Sequence, residues 1–200
     1  MTVLHIDSSI LGAGAASREL SAEIAGREAA RTGATIARRD LAADPLPHLT
    51  GEGFLGRGVE PADRTPAQAL DAAVLEEFLA ADTIVIGAPM YNFSIPSNLK
   101  AWIDRVAVAG KTFQYGPNGP EGLAGGKKVI VVSTRGGLYS EGPAAVMDHQ
   151  ESYLRTVFGF LGVTDVEFVR AERLAFGPEV RAEALAAAHA QIAGDVRIAA

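Results

Sequence analysis

Residues 90–93 combine a methionine, two aromatic side chains and an asparagine just where an apolar run, 83–87, has ended. The amide of Asn92 can both donate and accept hydrogen bonds, and the backbone N–H groups around it can point at the edge of a ring. The isoalloxazine ring of a flavin offers a matching edge of carbonyls and ring nitrogens, so these residues predict a site for a flat heterocycle. For the side chains of Met90 and Phe93 alone, a place in the hydrophobic core is the better interpretation.

The segment SSILGAGAASREL, residues 8–20, has the composition of a phosphate-binding loop. Hydroxyl and small side chains lead into a helical pattern, and the free N–H groups and the dipole at a helix N-terminus attract anions. An ordinary loop with Ser17 as the helix N-cap explains the same residues equally well. A Walker A site is excluded because the sequence contains no GxxxxGK motif.

The segment STRGGLY, residues 133–139, follows another apolar run. Gly136 and Gly137 allow a ligand to approach the backbone closely and permit positive φ angles. Arg135 either belongs to the site or is a solvated loop charge. Three loops of unusual composition, all expected at one end of a sheet, are stronger evidence together than any one of them.

A dinucleotide site is the nearest alternative. Residues 12–14, Gly-Ala-Gly, resemble the start of the GxGxxG fingerprint, and Asp40 stands where an acid that binds ribose would be. However, Ser17 replaces the third glycine, and the glycines come too long after Asp7 for the tight turn that the fingerprint needs. A Rossmann dehydrogenase therefore ranks below a mononucleotide site.

Composition excludes several other chemistries. The chain has 200 residues and no cysteine, which removes disulfides, thiolate nucleophiles, cysteine zinc sites and iron–sulfur clusters. No histidine pair has metal-ligand spacing and no GxSxG motif occurs, so we predict neither a metal site nor a serine hydrolase. If the protein is an enzyme, a cofactor must therefore supply the difficult chemistry.

The bulk properties are those of a globular protein, with 48% hydrophobic and 21% charged residues. The formal net charge of −6 argues against nucleic acid or an anionic membrane as the main partner. No apolar run reaches transmembrane length, and the start MTVLHID lacks the pattern of a secretory signal. We expect one domain, residues 1–200, in a cytoplasmic protein.

Short apolar runs alternate with longer helical patterns along the chain. The predicted strands are 3–7, 35–39, 83–87, 129–133 and 166–169, and the predicted helices are 17 to about 31, 66–80, 96–109, 148–161 and 178–192. Strict alternation predicts an α/β fold with a parallel sheet and right-handed crossovers. Five strands indicate a flavodoxin-like, doubly wound sheet of order 2-1-3-4-5, with ligands beyond the carboxyl ends of the strands.

Two segments are too long to be plain connections. Residues 43–65 are rich in glycine and proline, and residues 110–126 predict a small hairpin with glycine turns. Both could form walls for a second substrate.

The stretches APMYNFSIPSNLKAWIDRVAVAGKTFQYGPNGPEGL, GKKVIVVSTRGG and FGFLGVTDVEFVRAE resemble the FMN-dependent NADH:azoreductase family, also described as quinone reductases. The resemblance covers nearly the whole chain. It implies a homodimer with one FMN per subunit at the interface, and hydride transfer from NADH to the flavin. Reduction of flat acceptors, quinones or azo compounds, would follow.

The resemblance also implies which residues hold FMN. They are Ser9, Ala15, Ala16 and Ser17 for the phosphate, and Met90, Tyr91, Asn92, Phe93, Thr134, Arg135, Gly136 and Gly137 for the ring. Ala15 stands where a hydroxyl residue is frequent in the family, and Tyr139 stands where some members have histidine.

No side chain is predicted to transfer protons in this scheme. Asn92 and the amides of Phe93 and Gly137 are candidates for stabilising negative charge on the ring, and Tyr115, Tyr139 and Phe158 are candidate walls for the acceptor, with Asn92 at its edge. Two alternatives remain: an FMN electron carrier that does not oxidise NADH, and a Rossmann dehydrogenase that binds no flavin.

Overall fold

Five parallel strands form the centre of the computed structural model, which describes residues 1–55 and 59–194. They are β1 (Thr2–Asp7), β2 (Thr35–Asp40), β3 (Thr83–Pro89), β6 (Lys128–Thr134) and β7 (Asp165–Ala171), and the strands between them, β4 (Phe113–Gly116) and β5 (Gly119–Gly122), form a separate hairpin. The order across the sheet is β2-β1-β3-β6-β7 with every pair parallel. Counted within this sheet, the order is 2-1-3-4-5, so the predicted fold class is confirmed.

Helices cover both faces of the sheet. They are α1 (Ala16–Thr32), α2 (Gly51–Leu55), α3 (Pro66–Ala80), α4 (Ser97–Val106), α5 (Glu151–Phe160) and α6 (Pro178–Ala193). One core cluster contains residues of α3, α4 and α5, and the other contains residues of α1 and α6. Every residue of β3 is buried, as expected for a continuous apolar strand between two helical layers.

The strand register brings the ends of β1, β3 and β6 to one edge. Asp7 pairs with Gly87, and Pro89 pairs with Thr134. The chain continues this contact beyond the strands, since the Met90 N–H donates to the Thr134 carbonyl at 2.8 Å. The three loops singled out in the sequence therefore leave the sheet side by side.

Several helix boundaries differ from the predicted ones. Ala15 is the N-cap of α1, and Ser17 is the second residue of the helix, so the N-cap assignment of Ser17 was wrong. Pro96 lies at the N-cap of α4, since its extended backbone precedes the helix. The helix ends at Val106, whose carbonyl accepts a hydrogen bond from the Thr112 hydroxyl at 2.7 Å. The start of α5 falls at Glu151, after a 3-10 turn over Pro143–Met147.

The two long segments contain structure of their own. The predicted hairpin is present as β4 and β5, and its end packs tightly on the turn after α5: a Cβ placed on Gly122 would lie 2.1 Å from the Gly162 nitrogen. Residues 43–65 contain α2 and a 3-10 turn over Pro61–Asp63, while 56–58 lie outside the described residues. The last part of the predicted domain, 195–200, also lies outside them. None of the helices in the described part of the chain has the length and apolar character needed to cross a membrane.

Candidate functional site

The edge formed by the ends of β1, β3 and β6 carries a pocket of about 220 Å³. Its lining brings together most of the predicted cofactor-binding residues, namely Ser9, Ala15, Ala16, Ser17, Met90, Tyr91, Thr134, Arg135 and Gly136. Residues from the start of α6 and from the turn before it complete the wall. Asn92 lines an adjoining pocket that shares Met90 and Tyr91 with the first.

The N-terminus of α1 forms one end of this pocket and has unpaired donors. The Ser17 hydroxyl is buried and has no hydrogen-bond partner in the described part of the chain, and α1 has no side-chain cap. A buried hydroxyl without a partner costs about 1–3 kcal/mol. An anion at this end would accept from the hydroxyl and from the first N–H groups of the helix, so the residues fit a phosphate group.

Contacts between the first two loops fix the shape of this end. The hydroxyl oxygens of Ser9 and Tyr91 are 3.3 Å apart, and the Ile10 N–H donates to the Tyr91 hydroxyl oxygen at 3.3 Å. The Asn98 side chain on α4 donates to the Ser8 carbonyl at 3.0 Å. Asn98 was missed in the sequence because nothing local to α4 indicates that it contacts a loop 90 residues away.

The second loop makes a strained two-residue turn. Asn92 and Phe93 have φ angles of +49° and +69°, and Tyr91 and Ser94 on either side exchange backbone hydrogen bonds of 3.0 and 3.1 Å. A left-handed conformation costs a non-glycine residue roughly 1–2 kcal/mol. Such strain is concentrated at binding sites. The turn leaves the Asn92 and Phe93 N–H groups without an acceptor among the described residues, so both are available to a ligand.

The side chains of this turn do not enter the core. Phe93 is 43% exposed and Met90 is half-buried, and neither belongs to the core clusters. The interpretation that placed these two side chains in the core was therefore wrong. Phe93 instead meets Tyr139 edge to face, with 6.0 Å between the ring centroids. Tyr139 thus lies beside the turn that contains Asn92 and Phe93.

Arg135 is completely buried and is not a solvated loop charge. Its Nη2 is 2.6 Å from Glu151 Oε1 and 2.8 Å from Asp148 Oδ2, and its Nη1 is 3.2 Å from Glu172 Oε1. Its Nε donates to the Ser133 hydroxyl at 2.9 Å, and its backbone N–H is used between strands. The guanidinium is thus engaged by groups of the protein itself and ties the loop to the start of α5 and the end of β7.

Glu172, which pairs with Arg135, also fixes the backbone of the third loop. It accepts from the backbone N–H groups of Tyr139 and Ser140, at 2.8 and 3.1 Å, and from the Ser140 hydroxyl. Burial disfavours the charged carboxylate, but these hydrogen bonds and the Arg135 charge outweigh burial and lower the pKa of Glu172. The N–H groups of Gly136 and Gly137 have no acceptor within the described residues, and the carbonyls of both residues accept from the N–H groups of Ala175 and Arg173, which fixes the backbone of the loop.

The structure places Phe158 in the core rather than in a pocket wall. It is fully buried, because its face of α5 packs on the sheet with Leu154. Phe160, two residues on, is partly buried against the same core cluster; its ring centroid is 4.5 Å from that of Phe113, which in turn is 5.6 Å from that of Tyr115. Tyr115 is 76% exposed and lines neither pocket of the site.

Asp40, the acid that a dinucleotide site would require, already makes ion-pair and hydrogen-bond contacts within the protein. Asp40 pairs with Arg18, with 2.7 Å between Oδ1 and Nη2, and accepts from the N–H groups of Ala42 and Ala43. The hydrogen bond from Arg18 lowers the pKa of Asp40 well below its usual range. A ribose hydroxyl would have to displace these partners, which argues against the Rossmann alternative. No cluster of metal-binding side chains is found in residues 1–55 and 59–194.

Comparison with known proteins agrees with this architecture. A family model described as flavodoxin-like fold matches residues 1–195. The FMN-dependent NADH:quinone oxidoreductase of Ralstonia nicotianae is 60% identical over 196 residues, which cover 95% of this chain and 94% of that protein.

Two crystal structures show the same arrangement of elements. Azoreductase AzrA is 34% identical with a TM-score of 0.87, and the match covers 97% of this chain and 98% of that one. An FMN-dependent NADH-azoreductase from Bacillus anthracis, in complex with FMN, is 26% identical with a TM-score of 0.79, covering 98% and 99% of the two chains. With its strand order, its three converging loops and these full-length similarities, the chain belongs to the flavodoxin-like family of FMN-dependent NADH:quinone oxidoreductases and azoreductases.

Proposed function

We propose that this protein is an FMN-dependent NADH:quinone oxidoreductase that also cleaves aromatic azo bonds. The observation that carries the proposal is the buried Ser17 hydroxyl at a helix N-terminus, which has no partner among the described residues and lies in a pocket that adjoins the strained turn at residues 92–93. A phosphate at one end and a flat ring at the other end match FMN. The names of the relatives at 60% and 34% identity supply the electron donor and the two acceptor classes.

FMN, when bound, supplies a group that takes a hydride from NADH and passes two electrons to the acceptor. Ser9 and the backbone at Ala15, Ala16 and Ser17 would hold the phosphate. The ring would be held by Met90, Tyr91, Asn92 and Phe93 of the second loop and by Thr134, Gly136 and Gly137 of the third. Arg135, whose polar groups are used inside the protein, acts on the cofactor through the loop that it positions.

The protein contributes hydrogen-bond donors that are fixed before the reaction. The side-chain amide of Asn92 and the N–H groups of Phe93 and Gly137 face the place where negative charge develops on the ring. Donors that need no reorganisation stabilise such charge strongly in a site from which water is excluded. The two-residue turn and the Glu172 contacts hold the backbone donors in place.

We propose that one open face of the ring serves NADH and the acceptor in turn, and that the enzyme is a homodimer. Tyr115 is exposed and lines neither pocket of its own subunit, so the contact with an acceptor that is predicted for this residue requires the site of a second subunit. Tyr139, in contact with Phe93, forms a wall of its own subunit's site. Flat apolar walls discriminate weakly between acceptors, consistent with both quinones and azo compounds as substrates.

Substitution of Ser17 tests the phosphate end. A charge-assisted hydrogen bond contributes about 1.5–3 kcal/mol, so Ser17→Ala should raise the Kd for FMN tenfold or more. Ser17→Asp should nearly abolish binding, since it places like charge beside the phosphate. Titration of the apoprotein with FMN measures both, and Ala22→Asp, which adds the same charge at an exposed position of α1, is the control. A full flavin complement in purified Ser17→Asp protein would refute the assignment.

Substitution of Asn92 tests the ring end. Asn92→Gly removes the amide but tolerates the positive φ angle, whereas Asn92→Asp replaces a donor by a negative charge. Both should make the reduction potential of bound FMN more negative and slow its reduction by NADH in stopped flow, with the larger effect for Asn92→Asp. If the potentials of both FMN-saturated variants match that of the wild type, Asn92 is only a turn residue.

Steady-state kinetics test the reaction itself. The purified protein should be yellow and should oxidise NADH continuously only when a quinone is present. Because donor and acceptor use one face in turn, plots of reciprocal rate against reciprocal NADH at several quinone concentrations should be parallel, as in a ping-pong mechanism. Intersecting lines would show a ternary complex. A colourless protein would favour the dehydrogenase, and a yellow protein without turnover would favour the electron carrier.

A further inference from the structure

Arg181 on α6 lines the same pocket as Ser17, although nothing in its sequence surroundings indicates a ligand. Most of the other arginines that are not exposed are paired, for example the partly buried Arg39 with Glu77 and the buried Arg105 with Asp71. Arg181 has no carboxylate within ion-pair distance in the described part of the chain. Its side chain is therefore a cation at the wall of the pocket that no carboxylate of the described residues neutralises.

The charge balance of the pocket singles out this residue. Among the described residues that line it, there are two arginines and no aspartate or glutamate. The charge of Arg135 is balanced by its ion pairs with Asp148, Glu151 and Glu172. Arg181 is thus the charge that remains for a ligand, in a protein whose formal net charge is −6.

The backbone that carries Arg181 is fixed to the third loop. The N–H groups of Leu174 and Ala175 donate to the carbonyls of Arg135 and Gly136, both at 3.1 Å, and these residues line the same pocket. Arg181 lies in the first turns of α6, immediately after this connection. The start of α6 is therefore held at a set position relative to the site.

We infer that Arg181 supplies the positive charge that binds the phosphate group of the flavin, opposite the Ser17 hydroxyl and the N-terminus of α1. This inference rests on the proposed function and adds to it a binding residue from an element outside the three loops. Such a charge is needed because the other donors for the phosphate are all neutral. Ala15 has no side-chain hydroxyl, and Ser17 supplies a single hydroxyl. A phosphate in a partly buried pocket requires compensation, and the planar guanidinium matches phosphate geometry.

Binding of FMN and of riboflavin, which has the same ring but no phosphate, separates this role from a packing role. Apoprotein is titrated with each ligand and flavin fluorescence is followed. Arg181→Gln should raise the Kd for FMN roughly tenfold or more, as expected for a lost charged hydrogen bond, and should leave the Kd for riboflavin unchanged. Arg181→Lys should recover part of the FMN affinity. Arg27→Gln removes the same charge from an exposed position of α1, outside the pocket, and should bind FMN like the wild type.

Salt provides a second comparison that does not depend on riboflavin. The Kd of the wild type for FMN should rise with NaCl more steeply than that of Arg181→Gln, because screening weakens only the interaction that the variant lacks. Equal FMN affinity and equal salt dependence in the two proteins would overturn the inference, as would an equal loss of FMN and riboflavin binding. A wild type that binds no FMN would instead overturn the proposed function, so the two failures can be told apart.

Discussion

The third loop of the site depends on one buried cation. Arg135 joins the end of β6 to the start of α5 and the end of β7, since its guanidinium meets Asp148, Glu151 and Glu172 and its Nε meets Ser133. Loss of one partner of a buried ion pair costs about 3–5 kcal/mol, because the other charge is left uncompensated. The loop is therefore held against the start of α5 and the end of β7 by contacts within the protein.

The two ends of the site keep unfavourable features that a ligand can relieve. At the N-terminus of α1, the Ser17 hydroxyl has no partner among the described residues and the helix has no side-chain cap. In the turn of the second loop, Asn92 and Phe93 hold left-handed backbone angles. The surrounding structure imposes both features: the sheet register fixes where the loops start, and the hydrogen bonds between Tyr91 and Ser94 close the turn. Such pre-formed sites bind with little reorganisation.

Sequence reasoning located the site more accurately than it described the individual side chains. The three loops were found because unusual composition followed three apolar runs, and the carboxyl ends of parallel strands meet at one edge. The environment of Arg135 was not predictable, because its acidic partners lie 13 to 37 residues further along the chain, on other elements. The burial of Phe158 was missed for a related reason: its place in α5 does not by itself show that it is buried, and only the packing of that helix does.

The sequence by itself determined the alternation of strands and helices, the fold class and the loops that form the site, because hydrophobic periodicity and turn residues are local properties. Helix boundaries were less certain, since α4 ends where Thr112, six residues later, caps the Val106 carbonyl. Only the tertiary structure decided which polar groups remain available to a ligand. Ser17 and Arg135 are both buried and polar, yet within the part of the chain that the structure describes the hydroxyl has no partner, whereas the guanidinium has several. That difference arises from contacts between elements distant in the chain, which no local pattern encodes.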